Sequence, residues 1–147
     1  MSYGSSVAPQ ADAGRAASEL RIVLGQLVRR LRAENTFPVS QGMVLSRLER
    51  EGPSTTSALA ASELVRPQSM AQTLAELGAA GFVARRPDPE DGRQILIELT
   101  DRGRAVLAED RARREGWLAG VIDADLTPEE REVLLEAIEI LRRLAER

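Results

Sequence analysis

One strand-forming stretch in a chain otherwise patterned for helices constrains the fold more than any other feature. The segment RRPDPEDGRQILIELTDRG, residues 85–103, starts on a short β-prone run at 82–86 and continues into a second one at 94–99. Pro, Asp and Gly fill the interval between the two runs, and the Asp-Gly pair there is typical of a tight hairpin turn. Thr100 follows the second run as a helix N-cap. The sequence therefore predicts one charged β-hairpin inserted between helices.

Apolar residues at helical spacing, bounded by caps and stops, predict four helices before this hairpin and two after it. The predicted helices are Ala13–Arg32, a helix capped by Ser40 and ending at Gly52, a short helix capped by Thr55, Pro67–Ala80, a helix from Thr100 to residue 121 or 122, and a last helix with a Thr127–Glu130 capping box. Two short helices joined by a tight turn and followed by a hairpin form a winged helix-turn-helix, with the hairpin as the wing. The expected fold class is mainly α with a small β-hairpin.

Composition excludes several classes of function. The chain has no Cys and no His, so it lacks thiol chemistry, the commonest metal ligands and the usual general base. It shows no paired-carboxylate or glycine-loop motif, and we expect neither an enzyme nor a cofactor. No apolar run approaches the roughly 20 residues of a membrane span, and the N-terminus has no secretory signal. We therefore expect a cytoplasmic protein with no membrane partner.

Charge alone does not indicate a nucleic-acid partner. The net charge is −3, and all 20 basic residues are Arg, whose planar guanidinium suits phosphate and guanine. Residues 66–104 hold six Arg and six acidic residues, whereas residues 105–147 hold seven Arg and eleven acidic residues. The acidic excess thus lies away from the hairpin. A winged-helix module for protein–protein interaction, without DNA function, is an alternative that this charge balance supports.

The helix from Pro67 to Ala80 has an unusual outward face. Its inward side is apolar, with Met70, Leu74 and Leu77 in one sector. The opposite side carries glutamine and alanine, with a serine and a glutamate at its flanks: Gln68, Gln72, Ala75, Ala79, Ser69 and Glu76. These residues are compatible with a plain solvated surface. They are also compatible with a recognition helix, because small residues admit a helix to the major groove and Gln can pair with adenine N6 and N7.

The hairpin supplies cations beside this helix. Arg93 lies at the tip next to Asp91, which can orient the guanidinium for the minor groove, and Arg85 and Arg86 at the base can meet phosphates. The full set of DNA-binding candidates is Thr55, Arg66, Gln68, Ser69, Gln72, Arg85, Arg86, Asp91 and Arg93.

These motifs resemble the MarR family of bacterial transcription regulators over about residues 15–147. The family's wing signature, Asp-x-Arg followed by Leu-Thr and x-x-Gly, is matched by Asp91, Arg93, Leu99, Thr100 and Gly103. The segment GPSTTSALAASELVRPQSMAQTLAELGAAGFVARR resembles the family's helix-turn-helix. The resemblance implies a homodimer on pseudo-palindromic double-stranded DNA, most often a repressor that a small, often aromatic, ligand releases. The chain departs from the pattern at Gln72 and at Gly92, where many relatives carry Arg.

Apolar stripes near both ends of the chain predict self-association. Leu20, Leu24 and Leu27 share one stripe of the first helix. A second stripe, on the last helix, contains Leu134, Ile138 and Leu141. An intramolecular helix pair is an alternative, but the breadth of the stripes favours a dimer formed by the first and last helices.

A crevice for a small-molecule effector is expected where each winged lobe meets the helical base. Phe37, Met43 and Trp117 are its candidates because they are large and apolar, although Met43 is also expected to face the core with Val44, Leu45 and Leu48. The expected organisation has four parts: a disordered tail at 1–12, a dimerisation helix at 13–36, a winged DNA-binding lobe at 37–100 and dimerisation helices at 101–147.

Overall fold

The computed structural model describes residues 12–147, so the expected tail lies outside the described residues apart from Asp12. Asp12 is the N-cap of the first helix, and its Oδ1 accepts a hydrogen bond of 2.9 Å from the amide of Gly14. The chain divides into two compact units after Ala33. The first described unit is this helix, and the second contains everything from Glu34 onward.

Six helices and one antiparallel hairpin make up the described chain, which confirms the expected fold class. The elements are α1 (Ala13–Arg32), α2 (Val39–Glu51), α3 (Thr56–Ser62), α4 (Pro67–Ala79), β1 (Val83–Pro87), β2 (Ile95–Leu99), α5 (Asp101–Asp125) and α6 (Pro128–Ala145). Among the described residues, no helix is both long and apolar enough to span a membrane.

Three threonines begin helices as predicted, because each hydroxyl accepts from a backbone amide of the first turn that has no intrahelical partner. Thr55 Oγ1 accepts at 3.2 Å and Thr100 Oγ1 at 3.0 Å. At α6 the predicted capping box is complete: Thr127 Oγ1 accepts from the Glu130 amide at 3.2 Å, and Glu130 Oε2 accepts from the Thr127 amide at 2.9 Å.

Three predictions about local structure were wrong. Ser40 does not cap α2, which begins at Val39 with Pro38 as its N-cap and no side-chain capping bond. Met43 does not face the core, since half of its surface is exposed (50%). The helix α5 continues past residue 122 to Asp125, because the stop comes only where Leu126 turns to an extended conformation ahead of the Thr127 cap.

The core of the second unit joins α2, α3, α4, the hairpin and the start of α5. Its buried side chains are Val44, Leu45, Leu48, Leu59, Ala60, Met70, Leu74, Leu77, Val83, Ile97, Leu99 and Leu107. Ser54 adds a short third strand position to the hairpin, with Ser54 and Ile97 exchanging both backbone hydrogen bonds at 3.0 and 2.7 Å. The loop before α3 is thus tied to the wing.

One buried carboxylate fastens the segment before α2 to α5. Asp110 is 2% exposed, and its Oδ1 accepts from the backbone amide of Thr36 at 2.9 Å and from the Thr36 hydroxyl at 2.8 Å. Its Oδ2 lies 3.2 Å from Arg114. A buried charge is tolerated only with such partners, so these bonds fix where the lobe begins.

The end of α4, the start of the wing and the start of α5 meet at Thr100. The Thr100 hydroxyl donates to the carbonyl of Gly81 at 2.6 Å, and the Thr100 amide donates to the carbonyl of Phe82 at 3.1 Å. One turn into α5, a Cβ added to Gly103 would lie 2.2 Å from that same Phe82 oxygen. Only glycine allows α5 to approach the Phe82 backbone, immediately before β1, this closely.

Gly103→Ala is therefore expected to lower the free energy of unfolding by about 2–3 kcal/mol or more, because backbone atoms must move to admit the methyl group. The matched control is Gly116→Ala in the same helix, where an added Cβ meets nothing within 4 Å. The control should raise stability by about 0.5–1 kcal/mol through helix propensity. Urea unfolding of both variants measures the difference, and equal stabilities would contradict the proposed close approach.

Candidate nucleic-acid interface

The turn between α3 and α4 contains a residue with an unusual backbone conformation. Leu64 adopts a left-handed conformation with φ of 55°, and its side chain is 92% exposed. Before it, Glu63 is held by Arg47 of α2, whose Nε donates to Glu63 Oε1 at 2.5 Å. This hydrogen bond raises the pKa of Arg47 above its ordinary value. The turn is thus fixed from α2, although neither residue was recognised in the sequence as a site residue.

The first turn of α4 is free of side-chain caps. Arg66 is the N-cap residue and makes no side-chain capping bond, while Pro67 follows at the first helical position. The amides of Gln68 and Ser69 therefore remain open to an external acceptor at the positive end of the helix dipole. Phosphate groups are bound in this way at many helix N-termini.

The two faces of α4 are as predicted. Met70, Leu74 and Leu77 are buried, with exposures of 2%, 1% and 0%. The residues of the opposite face are all exposed: Gln68, Ser69, Gln72, Ala75, Glu76 and Ala79. Between Pro67 and Ala79 the helix has no basic residue and one acidic residue, Glu76. A face this small and this weakly charged can approach base edges in the major groove without steric obstruction.

Side-chain hydrogen bonds connect α2 to this face of α4. Gln41 Nε2 donates to Glu76 Oε2 at 2.9 Å, and Gln72 Nε2 donates to Glu76 Oε1 at 3.5 Å. The partners Gln72 and Glu76 are one helical turn apart, a spacing visible in the sequence. The Gln41 hydrogen bond joins residues 35 positions apart and had no sequence signal.

A groove of about 390 Å³ runs beside α4. Its lining combines apolar residues with hydroxyl, amide and carboxylate groups: Ser40, Met43, Val44, Glu63, Val65, Ser69, Met70, Gln72, Thr73 and Glu76. Of the three predicted ligand-binding residues, only Met43 lines it. Phe37 packs against the core of the lobe, and Trp117 lies half-buried on α5. The structure therefore does not gather these three residues around this groove.

The wing ends in a seven-residue loop, 88–94, rather than in a two-residue turn. The Asp88 amide donates to the Gln94 carbonyl at 2.9 Å, which closes the loop. Asp91 and Gly92 do lie in a turn, in which the Gln94 amide donates to the Asp91 carbonyl at 3.0 Å. It is not the two-residue type of hairpin turn, because that type needs positive φ and Gly92 does not have it. The charged residues Asp88, Glu90, Asp91 and Arg93 all lie in this loop, outside the paired strands.

Arg93 occupies the tip of this loop. Its side chain is 93% exposed, and its Nε donates to Asp91 Oδ1 at 3.2 Å. The Arg93 amide also donates to Asp91 Oδ1 at 3.2 Å, so the carboxylate holds both the backbone and the guanidinium of the same residue. Because Arg93 does not pack against the core, its arrangement suits delivery of a cation to a narrow minor groove.

The two arginines at the base of the wing lie on opposite faces of the hairpin. In the register, Arg85 pairs with Ile97 and Arg86 with Leu96. Arg86 Nε donates to Glu98 Oε2 at 2.8 Å, whereas Arg85 is exposed and has no ion pair within residues 12–147. Successive strand residues alternate in direction, so the two side chains leave the hairpin on opposite faces. Arg85 is the better placed to bind phosphate, since it has no competing carboxylate.

Relatives of this chain share both the sequence pattern and the fold. A profile of the MarR family matches residues 37–95. An uncharacterized HTH-type transcriptional regulator of Mycobacterium bovis is 39% identical over 135 residues, which cover 90% of this chain and 94% of the relative. A Pseudomonas aeruginosa protein described as a transcriptional regulator is 36% identical, with a TM-score of 0.80 over 95% of this chain and 99% of its own.

The apo form of MarR from E. coli shares the fold at 21% identity, with a TM-score of 0.61 over 90% of this chain and 98% of its own. The fold and the exposed face of α4 define the class of the protein: it is a winged helix-turn-helix regulator of transcription that binds DNA. The chain belongs to the MarR family. Members of this family are not enzymes. This membership favours DNA binding over the alternative of a module for protein–protein interaction alone.

Arg93→Ala should weaken binding to specific and nonspecific DNA alike, because it removes an exposed cation and leaves the core untouched. The slope of log affinity against log salt should fall by about 1 for each phosphate that the variant no longer binds. Fluorescence anisotropy across a salt series measures both effects. Arg143→Ala, which removes an equal charge from α6, is the control. Unchanged affinity and slope in Arg93→Ala would show that the wing tip does not touch DNA.

Proposed function

We propose that the protein is a homodimeric repressor that reads a pseudo-palindromic operator with α4 in the major groove and the wing in the minor groove. The observation that carries this proposal is the pairing of an exposed Gln/Ala face on α4, flanked by the single carboxylate of Glu76, with an exposed Arg93 that Asp91 orients. The first element has the chemistry to distinguish bases, and the second has the charge to bind the backbone or a narrow groove.

In this complex, each proposed DNA-binding residue has its own task. Gln68, Gln72 and Ser69 lie on the α4 face that would meet base edges. Thr55 caps α3 and Arg66 begins α4, so both lie at helix N-termini where phosphates can be bound. Arg85 would bind a phosphate at the base of the wing. Arg86 would bind one only after its hydrogen bond with Glu98 is broken.

Exposed apolar residues at both ends of the chain support a dimer. Neither α1 nor α6 has a buried residue, although both are amphipathic. The exposed large apolar residues are Ile22, Val23, Leu24, Leu27 and Val28 on α1, and Val133, Leu135, Ile138, Ile140 and Leu144 on α6. The other predicted interface residues, Leu20, Leu134 and Leu141, are partly exposed. Contiguous apolar stripes of this kind are typical of protein–protein interfaces, and we propose that both lie in the dimer interface.

A small-molecule effector is the further part of the proposal. With no Cys or His in the chain, an effector must act by packing and by ion pairing, and it weakens DNA binding only if it prefers a conformation that misfits the operator. We propose a small aromatic acid, and Trp117, as the only tryptophan, reports on it. A panel of such acids that changes neither Trp117 fluorescence nor operator affinity would leave a constitutive regulator. A protein with this function acts in the cytoplasm, where the operator lies.

Selection of binding sites from random DNA by the full-length protein tests the function itself. The wild type should enrich a two-fold symmetric motif with half-sites about one helical turn apart. Gln68→Ala and Gln72→Ala should each relax preference at one base position per half-site, by about 1–3 kcal/mol for each bidentate pair of hydrogen bonds removed. Ala58→Gly on α3, an exposed position outside α4, is the control and should keep the motif. Enrichment of no sequence by the wild type would end the proposal.

Leu141→Glu should turn the dimer into a monomer and abolish operator binding, because it places a charge within the apolar stripe of α6. Light scattering coupled to size exclusion measures the mass, and an electrophoretic mobility shift measures binding. Arg143→Glu places a carboxylate on an exposed polar position of the same helix and should remain dimeric. A wild-type protein that is monomeric at micromolar concentration is the result that rules the dimer out.

A further inference from the structure

The acidic residue on the recognition helix calls for an explanation, since phosphates repel carboxylates. Glu76 lies on the exposed flank of α4, one turn beyond Gln72, in a helix with no basic residue. A carboxylate here opposes the electrostatic attraction on which nonspecific DNA binding depends. Its hydrogen bonds point to a specific role: both carboxylate oxygens accept from glutamine amides, Oε2 from Gln41 at 2.9 Å and Oε1 from Gln72 at 3.5 Å.

The chemistry of an amide makes the hydrogen bond with Gln72 consequential. A Gln side chain reads adenine by accepting from N6 through Oε1 and donating to N7 through Nε2. Rotation of the amide by 180° exchanges donor and acceptor, and the rotated group no longer matches adenine. A carboxylate can only accept hydrogen bonds, so Glu76 stabilises the orientation in which Nε2 faces it. One Nε2 hydrogen is then used by Glu76, while the second and the free Oε1 remain available to the base.

The hydrogen bond with Gln41 extends this constraint beyond α4. Glu76 by itself has three rotatable side-chain bonds and would lose much of its orienting effect in water. Gln41 belongs to α2, the helix that also holds the turn before α4 through Arg47 and Glu63. Its hydrogen bond ties the carboxylate to a second, rigid element.

We infer that Glu76 is a specificity-determining residue of the recognition helix: together with Gln41 it fixes the Gln72 amide in the orientation that reads adenine, while its charge weakens nonspecific binding. Both residues act on the base through Gln72 and are positioning residues. This inference rests on the proposed function, because it concerns how the proposed base-reading face discriminates.

Four variants of the full-length protein separate orientation from charge. Glu76→Ala removes the charge of the carboxylate together with its hydrogen bond to Gln72. Glu76→Gln removes the charge but keeps an oxygen that can accept from Gln72. Gln41→Ala keeps the charge but removes the hydrogen bond that holds the carboxylate. Gln72→Ala identifies the base position concerned. Glu109→Ala, which removes an exposed carboxylate from α5, is the control for net charge.

Binding-site selection and anisotropy should then give a distinctive pattern. Glu76→Ala and Gln41→Ala should relax preference at the Gln72 position by roughly fivefold or more, the lower limit for a good bidentate pair. Glu76→Gln should largely retain that preference. Nonspecific affinity should rise in both Glu76 variants and stay unchanged in Gln41→Ala. In a Gln72→Ala background, Glu76→Ala should not reduce discrimination any further, since residues that act as a unit are not additive.

The results of binding-site selection test the role of Glu76 separately from the proposed function. A wild type that enriches no sequence overturns the proposed function. A wild type with a clear motif that Glu76→Ala and Gln41→Ala leave unchanged at the Gln72 position overturns the inference alone. So does a relaxed preference at a different base, cytosine above all, because Glu76 would then read that base directly as an acceptor from N4.

Discussion

The geometry of the lobe depends on the close approach of Thr100 and Gly103 to the backbone of Phe82, immediately before the first strand of the wing. Thr100 bonds to the last turn after α4 through Gly81 and to the wing through Phe82, and it caps α5 through Gly103. The Thr100 hydroxyl, the Thr100 amide and the absence of a side chain at Gly103 therefore hold the end of α4, the start of the wing and the start of α5 together. Since α4 and the wing must meet the same DNA duplex in the proposed complex, an error here would misplace both elements together.

The structural features that could be predicted from the sequence are those set by interactions between residues close together in the chain. The threonine caps, Pro67 at the start of α4 and the buried stripe of α4 depend on neighbours within one or two turns, and all were confirmed. Ser40 and Met43 were wrong for the opposite reason. A serine near a helix start is compatible with several N-cap positions, and an apolar residue on a helix is compatible with several orientations of that helix. The packing of α2 against elements distant in sequence determines which start and which orientation are adopted.

The polar interactions around the candidate site were the least predictable from sequence. Asp110 binds Thr36 across 74 positions, and Gln41 binds Glu76 across 35. No periodicity marks such pairs, and a single Gln or Asp on a helix is most often solvated. The wing showed the same limit in milder form: Asp91 beside Arg93 was predicted, whereas the length of the loop follows from where the strand pairing ends.

The absence of basic residues from α4 shifts the source of affinity in the proposed complex. Attraction to phosphates must come from the wing, from the open amides at the start of α4 and from pairing two lobes on one duplex, since the reading face contributes none. A regulator of this kind would bind nonspecific DNA weakly and would depend on the proposed dimer for its affinity. The amphipathic helices α1 and α6 have no buried residue within one chain. In the proposed dimer they would therefore affect operator affinity as well as assembly. In the proposed dimer their helical structure would gain further tertiary support, so association, stability and operator affinity should all rise together with protomer concentration.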